Sequence, residues 1–167
     1  MDVRNIDEVP SFTTLDGSEI RELLAYRNAS IRLQSLAEAR LPIGGRTTPH
    51  FHRRTEEIYY IVAGRGLMQI GDESRAVGPG DAIAIPPGAV HTIANVGEGV
   101  LKFLCCCAPC YEHADTVLVD TVLVDPVLVD PVVVELEQTG ASRADSRVVP
   151  PRSMGTAHPG DAPRPTG

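Results

Sequence analysis

The sequence lacks the features that mark membrane, secreted and nucleic-acid-binding proteins. It has no stretch of about 20 uninterrupted apolar residues, so no membrane-spanning helix is expected. Residues 1–10 lack the apolar core of a signal peptide. The chain has 15 Lys and Arg against 22 Asp and Glu, and so lacks the excess of positive charge with which proteins neutralise phosphates. We therefore expect a cytoplasmic protein with no nucleic acid and no membrane as partner.

Cysteines are few and confined to one place, which argues against a disulfide-stapled scaffold. The four are Cys105, Cys106, Cys107 and Cys110. Such a cluster cannot join distant parts of a secreted domain, so reduced thiols are expected. The pair Cys107 and Cys110 forms a CxxC, but a zinc ribbon needs a second ligand pair, which His113 and His158 do not supply. We interpret Cys105 and Cys107 as small fillers on one face of a strand, with Cys106 on the other.

Short apolar stretches separated by turn residues run through the middle of the chain. They are residues 18–24, 29–41, 67–70, 74–77, 82–85, 90–96 and 100–107. Several short strands with Gly, Pro and Asp between them are typical of a β-sandwich or barrel. Helix propensity in residues 29–41 makes a short helix the competing interpretation there. At 167 residues the chain is long enough for one domain.

The two ends of the chain differ in composition from this middle part. Residues 1–17 are polar and interrupted by turn residues, and we interpret them as an N-terminal arm. Residues 116–135 are four imperfect copies of a valine-rich five-residue unit, TVLVD, TVLVD, PVLVD and PVVVE. The first copy could extend the edge of the barrel, and the later copies could pair between chains. Residues 136–167 hold almost no large apolar side chains, so we predict a disordered tail.

The strongest chemical signal is a pair of histidines followed by a glutamate. His50 and His52 stand one residue apart, so on a strand both imidazoles face the same side. Residues 53–55 are polar and short enough to turn, and the β-forming run 58–62 follows. We therefore expect Glu57 to begin a returning strand beside the histidines, which is an arrangement able to bind a metal ion.

These residues match a family pattern. The spacing G(x)5HxH(x)4E(x)6G, formed by Gly44, His50, His52, Glu57 and Gly64, resembles the first cupin motif. A second group matches G(x)5PxG(x)2H(x)3N, the second cupin motif; it consists of Gly80, Pro86, Gly88, His91 and Asn95. The resemblance covers about residues 36–107. It implies an all-β, single-domain cupin, a double-stranded β-helix (jelly-roll) barrel over residues 18–115, with 29–41 mainly strand and a homodimer as the expected assembly.

The resemblance also implies a metal site made of His50, His52, Glu57 and His91. Imidazoles with one carboxylate suit a divalent transition metal such as Fe, Mn, Zn or Ni and leave coordination positions open. The alternative is a metal-free barrel in which these side chains only bond one another. Glu56 competes with Glu57 for the ligand position, but the interval to Gly64 favours Glu57.

Other residues are candidates for the lining of the ligand pocket. Tyr59 and Ile61 share the inward face of Glu57, and Ile93 shares the face of His91. Tyr59 could offer its hydroxyl to a ligand, although packing is the commoner role of a strand aromatic. Residues 46–48 could hold an anion at the pocket mouth, but a solvated loop is the simpler interpretation. Asn95 is expected to bond backbone groups.

The function that follows is a metal-dependent enzyme acting on a small polar organic molecule. Dioxygenation is the first expectation, and isomerisation of a sugar or ketoacid is the second, although no residue stands out as the base that an isomerase needs. The alternative is a non-catalytic ligand-binding or sensory cupin module, because one scaffold hosts many functions.

Overall fold

The computed structural model describes residues 1–120, which form eleven strands and two short 3₁₀ helices. The strands are β1 (Phe12–Thr13), β2 (Glu19–Leu24), β3 (Ser35–Leu41), β4 (His50–His52), β5 (Glu56–Ala63), β6 (Gly66–Ile70), β7 (Glu73–Val77), β8 (Ala82–Ile85), β9 (His91–Asn95), β10 (Leu101–Ala108) and β11 (Thr116–Leu118). The 3₁₀ helices are Ile6–Glu8 and His113–Asp115. No helix in this part of the chain is long and apolar enough to cross a membrane.

The strands form two antiparallel sheets with one hydrophobic core. One sheet has the order β1-β2-β3-β10-β5-β8 and the other has the order β11-β4-β9-β6-β7. Buried residues alternate with exposed ones along β5 and with partly buried ones along β10, as expected for strands with one face on the core and one outside. The all-β jelly-roll prediction is therefore confirmed.

The core is filled by aliphatic and aromatic side chains from both sheets. The largest of the fully enclosed apolar ones are Leu41, Ile61, Ile93, Leu101 and Phe103. Each such side chain contributes about 1.5–3 kcal/mol by leaving water. Gly64 packs against the backbone at the start of β10, since a Cβ there would lie 2.8 Å from Leu101 Cα, and its φ of +88° favours glycine.

The strand predicted over residues 29–41 is shorter than expected. It begins at Ser35, because backbone groups of the preceding residues form hydrogen bonds outside the sheet. Ala29 N donates to Ala25 O at 2.9 Å, and Ser30 N donates to the Asp2 carboxylate at 2.8 Å. From Ser35 onward the segment pairs with β2 and β10, so the competing helix interpretation is wrong.

Both ends of the described chain contribute to the sheets. Phe12 and Thr13, within the predicted arm, pair with Ile20 and Glu19 of β2. The first copy of the five-residue repeat supplies β11, which pairs with β4. The other repeat copies and the predicted disordered tail, residues 136–167, lie outside the described residues.

Candidate metal centre

Strand pairing places the three histidines of the predicted site together. His50 of β4 lies directly opposite His91 of β9, and the centroids of their rings are 4.2 Å apart. His52 shares the inward face of His50 because every second residue of a strand points to the same side. Gly88 N donates to His52 O at 2.7 Å. The turn of the second motif is thereby joined to the strand of the first.

Glu57 reaches the histidines from the other sheet. The expectation that its strand runs beside the histidines is wrong, because β4 pairs with β9 and β11 while β5 pairs with β8 and β10. The chain crosses between the sheets at Arg53–Thr55, where Arg53 N donates to Asp115 O and Thr55 N donates to Asp115 Oδ2, both at 3.0 Å. Buried Asp115 thus holds the crossover that sends Glu57 across the barrel interior.

The four predicted ligands form one buried cluster. One donor atom from each of His50, His52, Glu57 and His91 lies within 4.8 Å of the others. Glu57 Oε2 is 3.3 Å from His52 Nε2 and 3.5 Å from His91 Nε2. Glu56 is exposed on the opposite face of β5, so alternation puts Glu57 and not its neighbour inside.

The outward nitrogens of the imidazoles have partners that orient the rings. His50 Nδ1 donates to Thr48 O at 2.7 Å and His91 Nδ1 donates to Ala89 O at 2.9 Å. These carbonyl acceptors place the proton on Nδ1 and leave the Nε2 lone pairs facing the cluster. His52 Nδ1 lies 3.3 Å from the hydroxyl of Thr116. This is the ring arrangement that metal-bound histidines adopt.

Two atoms of the cluster are buried without hydrogen bonds in the described structure. They are Glu57 Oε2 and His91 Nε2, whose separation of 3.5 Å brings them near each other without a well-aligned bond. Leaving a buried polar atom unpaired costs about 1–3 kcal/mol or more when it is charged. A divalent cation among the four donors would satisfy both atoms, so these residues fit the metal that the sequence implies.

Electrostatics favour the protonation states that a metal requires at His50 and Glu57. Burial and the nearby His91 lower the pKa of His50, which favours the neutral imidazole. Burial alone would raise the pKa of the Glu57 carboxyl, but the facing His52 and His91 more than offset this and lower its pKa to about 2. The cluster therefore combines a carboxylate with a neutral imidazole near pH 7.

A cavity of about 40 Å³ opens onto the cluster. Its lining includes His50, His52, Glu57 and Tyr59. Ile61 and Ile93, which we predicted to line the pocket, lie instead in the hydrophobic core. The ring centroids of Tyr59 and Phe103 are 4.6 Å apart, so the two rings pack together. Burial and the charge of Glu57 raise the pKa of the Tyr59 hydroxyl well above its usual value.

Cys107 contributes to the site in a way that sequence reasoning missed. Its thiol donates to Glu57 Oε1 at 3.3 Å, and burial and the Glu57 charge raise the pKa of Cys107. The thiol therefore stays protonated and orients the carboxylate. Cys105 is buried like Cys107, and Cys106 lies on the other face, as the alternation predicted. Cys110 donates to Gln34 O at 2.8 Å.

Asp16 is the second residue that the sequence did not identify. It belongs to the N-terminal segment, is only 8% exposed, and lines the cavity. Its Oδ2 lies 4.0 Å from His50 Nε2. The sequence places it only within the polar N-terminal arm, residues 1–17, and no spacing rule connects it to the histidines.

The residues flanking the ligands have structural roles. Asn95 Nδ2 donates to the carbonyls of Leu41, Pro42 and Gly99, which confirms its predicted bonding to backbone. Thr47, which we placed in a solvated loop, is instead fully buried. Its hydroxyl accepts a hydrogen bond from Ile93 N at 3.0 Å, so its polar group is satisfied inside the barrel.

Comparison with known proteins agrees with this geometry. The model of the Cupin domain family matches residues 37–107. An uncharacterized protein of Methanocaldococcus jannaschii is 48% identical over 113 residues, which are 68% of this chain and 90% of that protein. An oxalate-binding protein of Thermotoga maritima is 30% identical over 86 residues, 52% of this chain and 71% of that protein.

Solved structures share the fold at lower sequence identity. The polyketide cyclase RemF from Streptomyces resistomycificus has a TM-score of 0.61 and 23% identity. The alignment covers 72% of this chain and 87% of that one. At this identity the likeness concerns the fold alone.

Proposed function

The chain belongs to the cupin family, and on that premise we propose that His50, His52, Glu57 and His91 hold one divalent transition metal. The observation that carries the proposal is the pair of buried, unbonded atoms, Glu57 Oε2 and His91 Nε2. Three imidazoles and a carboxylate suit Fe, Mn, Zn or Ni. Bound there, such an ion would polarise substrate oxygens and, if it were Fe(II), could also take up dioxygen.

The protein acts, in this proposal, as a metal-dependent enzyme on a small polar organic substrate. Four protein donors leave one or two positions of a five- or six-coordinate ion open, and the cavity reaches the donors. Dioxygenation is the first candidate reaction. Isomerisation of a sugar or ketoacid is the second. Asp16, a buried carboxylate beside the cluster, could accept and return a proton, which supports the uncharged sugar over the ketoacid.

Two measurements test this function. Elemental analysis of the protein purified from its native source should find about one transition metal per chain. The metal-loaded protein should then either consume oxygen with a diol, thiol or keto acid, or incorporate deuterium from D₂O into an α-hydroxy ketone. Absence of a bound metal would refute the metal proposal itself.

The second candidate function is ligand binding without turnover. Its support is the relative from Thermotoga maritima whose name describes it as oxalate-binding. If the metal-loaded protein binds small ligands saturably, yet shows neither oxygen uptake nor deuterium incorporation, the binding function replaces the enzymatic one.

The assembly we propose is a homodimer formed by the outer face of the larger sheet. Ile58, Tyr60 and Val62 of β5 are all exposed there, and Tyr60 lies opposite Leu104 of β10. A contiguous apolar face is uncommon on a monomer and suits a partner. Sedimentation of the full chain should give a dimer that Tyr60→Arg converts to monomer, whereas Leu33→Arg should not. A monomeric wild type would contradict the proposal.

A further inference from the structure

Asp16 has one carboxylate oxygen that is fully used and one that is free. Its Oδ1 accepts from the Thr14 hydroxyl, from Ser18 N at 3.1 Å and from the Ser18 hydroxyl at 2.8 Å. Among the described residues, Oδ2 has no hydrogen bond, and the nearest basic atom is His50 Nε2 at 4.0 Å. A buried carboxylate is thereby oriented with an acceptor atom toward the cavity.

A backbone hydrogen bond also holds Asp16 in this position. Thr48 N donates to Asp16 O at 2.7 Å, so the N-terminal segment is joined to the loop that enters the histidine strand. Thr48 O in turn accepts from His50 Nδ1. Thr48 therefore bonds Asp16 through its backbone N–H and His50 through its carbonyl oxygen. These two bonds set the distance between Asp16 and His50.

Within residues 1–120, which the structure describes, the lining of the cavity is acidic. It contains the carboxylates of Asp16, Glu22 and Glu57, and among these described residues no Lys or Arg. The proposed metal ion would attract a carboxylate ligand, but no described arginine or lysine of the lining would offset the repulsion between that ligand and the free oxygen of Asp16. A volume of about 40 Å³ has room for about three water-sized groups, which suits a ligand of a few carbon and oxygen atoms.

We propose that Asp16 Oδ2 accepts a hydrogen bond from a hydroxyl group of the ligand, and that it selects uncharged hydroxylated molecules against carboxylates. Asp16 is then a specificity-determining residue that lies outside the segment matched by the family model, residues 37–107. This inference rests on the proposed metal-dependent function, since the ligand is expected to occupy the open side of the metal.

The test uses the full-length Zn(II)-loaded protein and calorimetric titration with three probes, hydroxyacetone, acetone and oxalate. Asp16→Asn keeps an acceptor for the Thr14 and Ser18 bonds while removing the charge. Because a hydrogen bond to a charged group contributes about 1.5–3 kcal/mol, the variant should weaken hydroxyacetone binding about 10- to 100-fold. Oxalate binding should become tighter in the same variant, because the repulsion is gone.

Glu22→Gln is the matched control, since it also removes one negative charge from the lining. The Glu22 carboxylate already accepts from Arg27 at 3.3 Å, so this change should leave hydroxyacetone affinity within about twofold, well under the loss of a charged hydrogen bond. Equal effects of the two variants would assign the result to general charge and overturn the inference.

A comparison within the wild-type protein keeps the inference testable if Asp16→Asn does not fold. Hydroxyacetone should bind at least about 10-fold more tightly than acetone, the analogue without the hydroxyl. Equal affinity for the two, or weaker oxalate binding in Asp16→Asn, would overturn the proposal while leaving the metal site intact. A wild-type protein that holds no Zn(II) would instead refute the proposed function on which the inference depends.

Discussion

The two halves of the barrel interior are built from the same strands but differ in chemistry. On β9, His91 lies at the metal end, and Ile93, two positions further along, is fully buried in the apolar half. On β10, Cys107 bonds the Glu57 carboxylate, whereas Phe103 belongs to the hydrophobic core. Among the side chains of residues 1–120, two buried nitrogen or oxygen atoms lack a hydrogen bond, and both lie at the metal end. Stability is therefore concentrated in one half and ligand chemistry in the other.

Truncation in the apolar half should have the largest effect. Leu101→Ala removes a side chain that is 0% exposed and should lower the free energy of unfolding by about 3–5 kcal/mol, because a cavity remains. Urea unfolding measures this change. The matched control is Leu33→Ala, at a position 82% exposed, which should change stability by less than about 0.5 kcal/mol. Equal decreases in the free energy of unfolding for Leu101→Ala and Leu33→Ala would contradict the assignment of Leu101 to the core.

Removal of a ligand at the metal end should abolish metal binding and spare the fold. His52→Ala should weaken metal affinity by more than about 100-fold, since even orienting groups outside the ligand set contribute 10- to 100-fold. Elemental analysis and circular dichroism together give the readout. His113→Ala is the control, because that histidine is exposed. Full metal content in His52→Ala would contradict the ligand assignment.

The acid response of the metal-free protein should depend on Glu57. The ordinary pKa of 4.5 falls to about 2 in the folded protein. A lowered carboxyl pKa contributes stability that is fully present above pH 4.5 and lost as the pH falls toward 2. The unfolding free energy of Glu57→Gln should therefore vary less with pH across this window than that of the wild type.

Glu56→Gln is the control for this pH response, because Glu56 lies on the exposed face of the same strand. Urea unfolding at stepped pH should give this variant the wild-type slope. Parallel curves for Glu57→Gln and the wild type would show that the buried carboxylate does not set the acid sensitivity.

The smallest expected effect concerns the thiol behind the metal site. Cys107→Ala removes the donor to Glu57 Oε1 and should weaken metal affinity about 10-fold, as loss of an orienting hydrogen bond does. Competition with a chelator measures the affinity. Cys106→Ala, on the other face of β10, should change nothing. If the two variants behave alike, the thiol only fills space.

Much of the metal end could be predicted because its information is local. The interval between His50 and His52 and the alternation along β5 decide which side chains face inward, and both depend on strand geometry alone. The same alternation separates Glu57 from Glu56. Alternation correctly puts Ile61 and Ile93 inside the barrel. It does not show how far along the barrel the polar half extends, so it could not distinguish pocket lining from hydrophobic core at these two positions.

The sequence by itself determined the inward faces of the strands, because alternation encodes them over short distances. Its resemblance to the two cupin motifs supplied the fold class and the four candidate ligands. Only the tertiary structure decided that Glu57 approaches from the opposite sheet and that Cys107 and Asp16 join the site. Such contacts depend on which strands pair and in what register. Strand pairing is settled by the packing of the whole chain, and no local pattern records it.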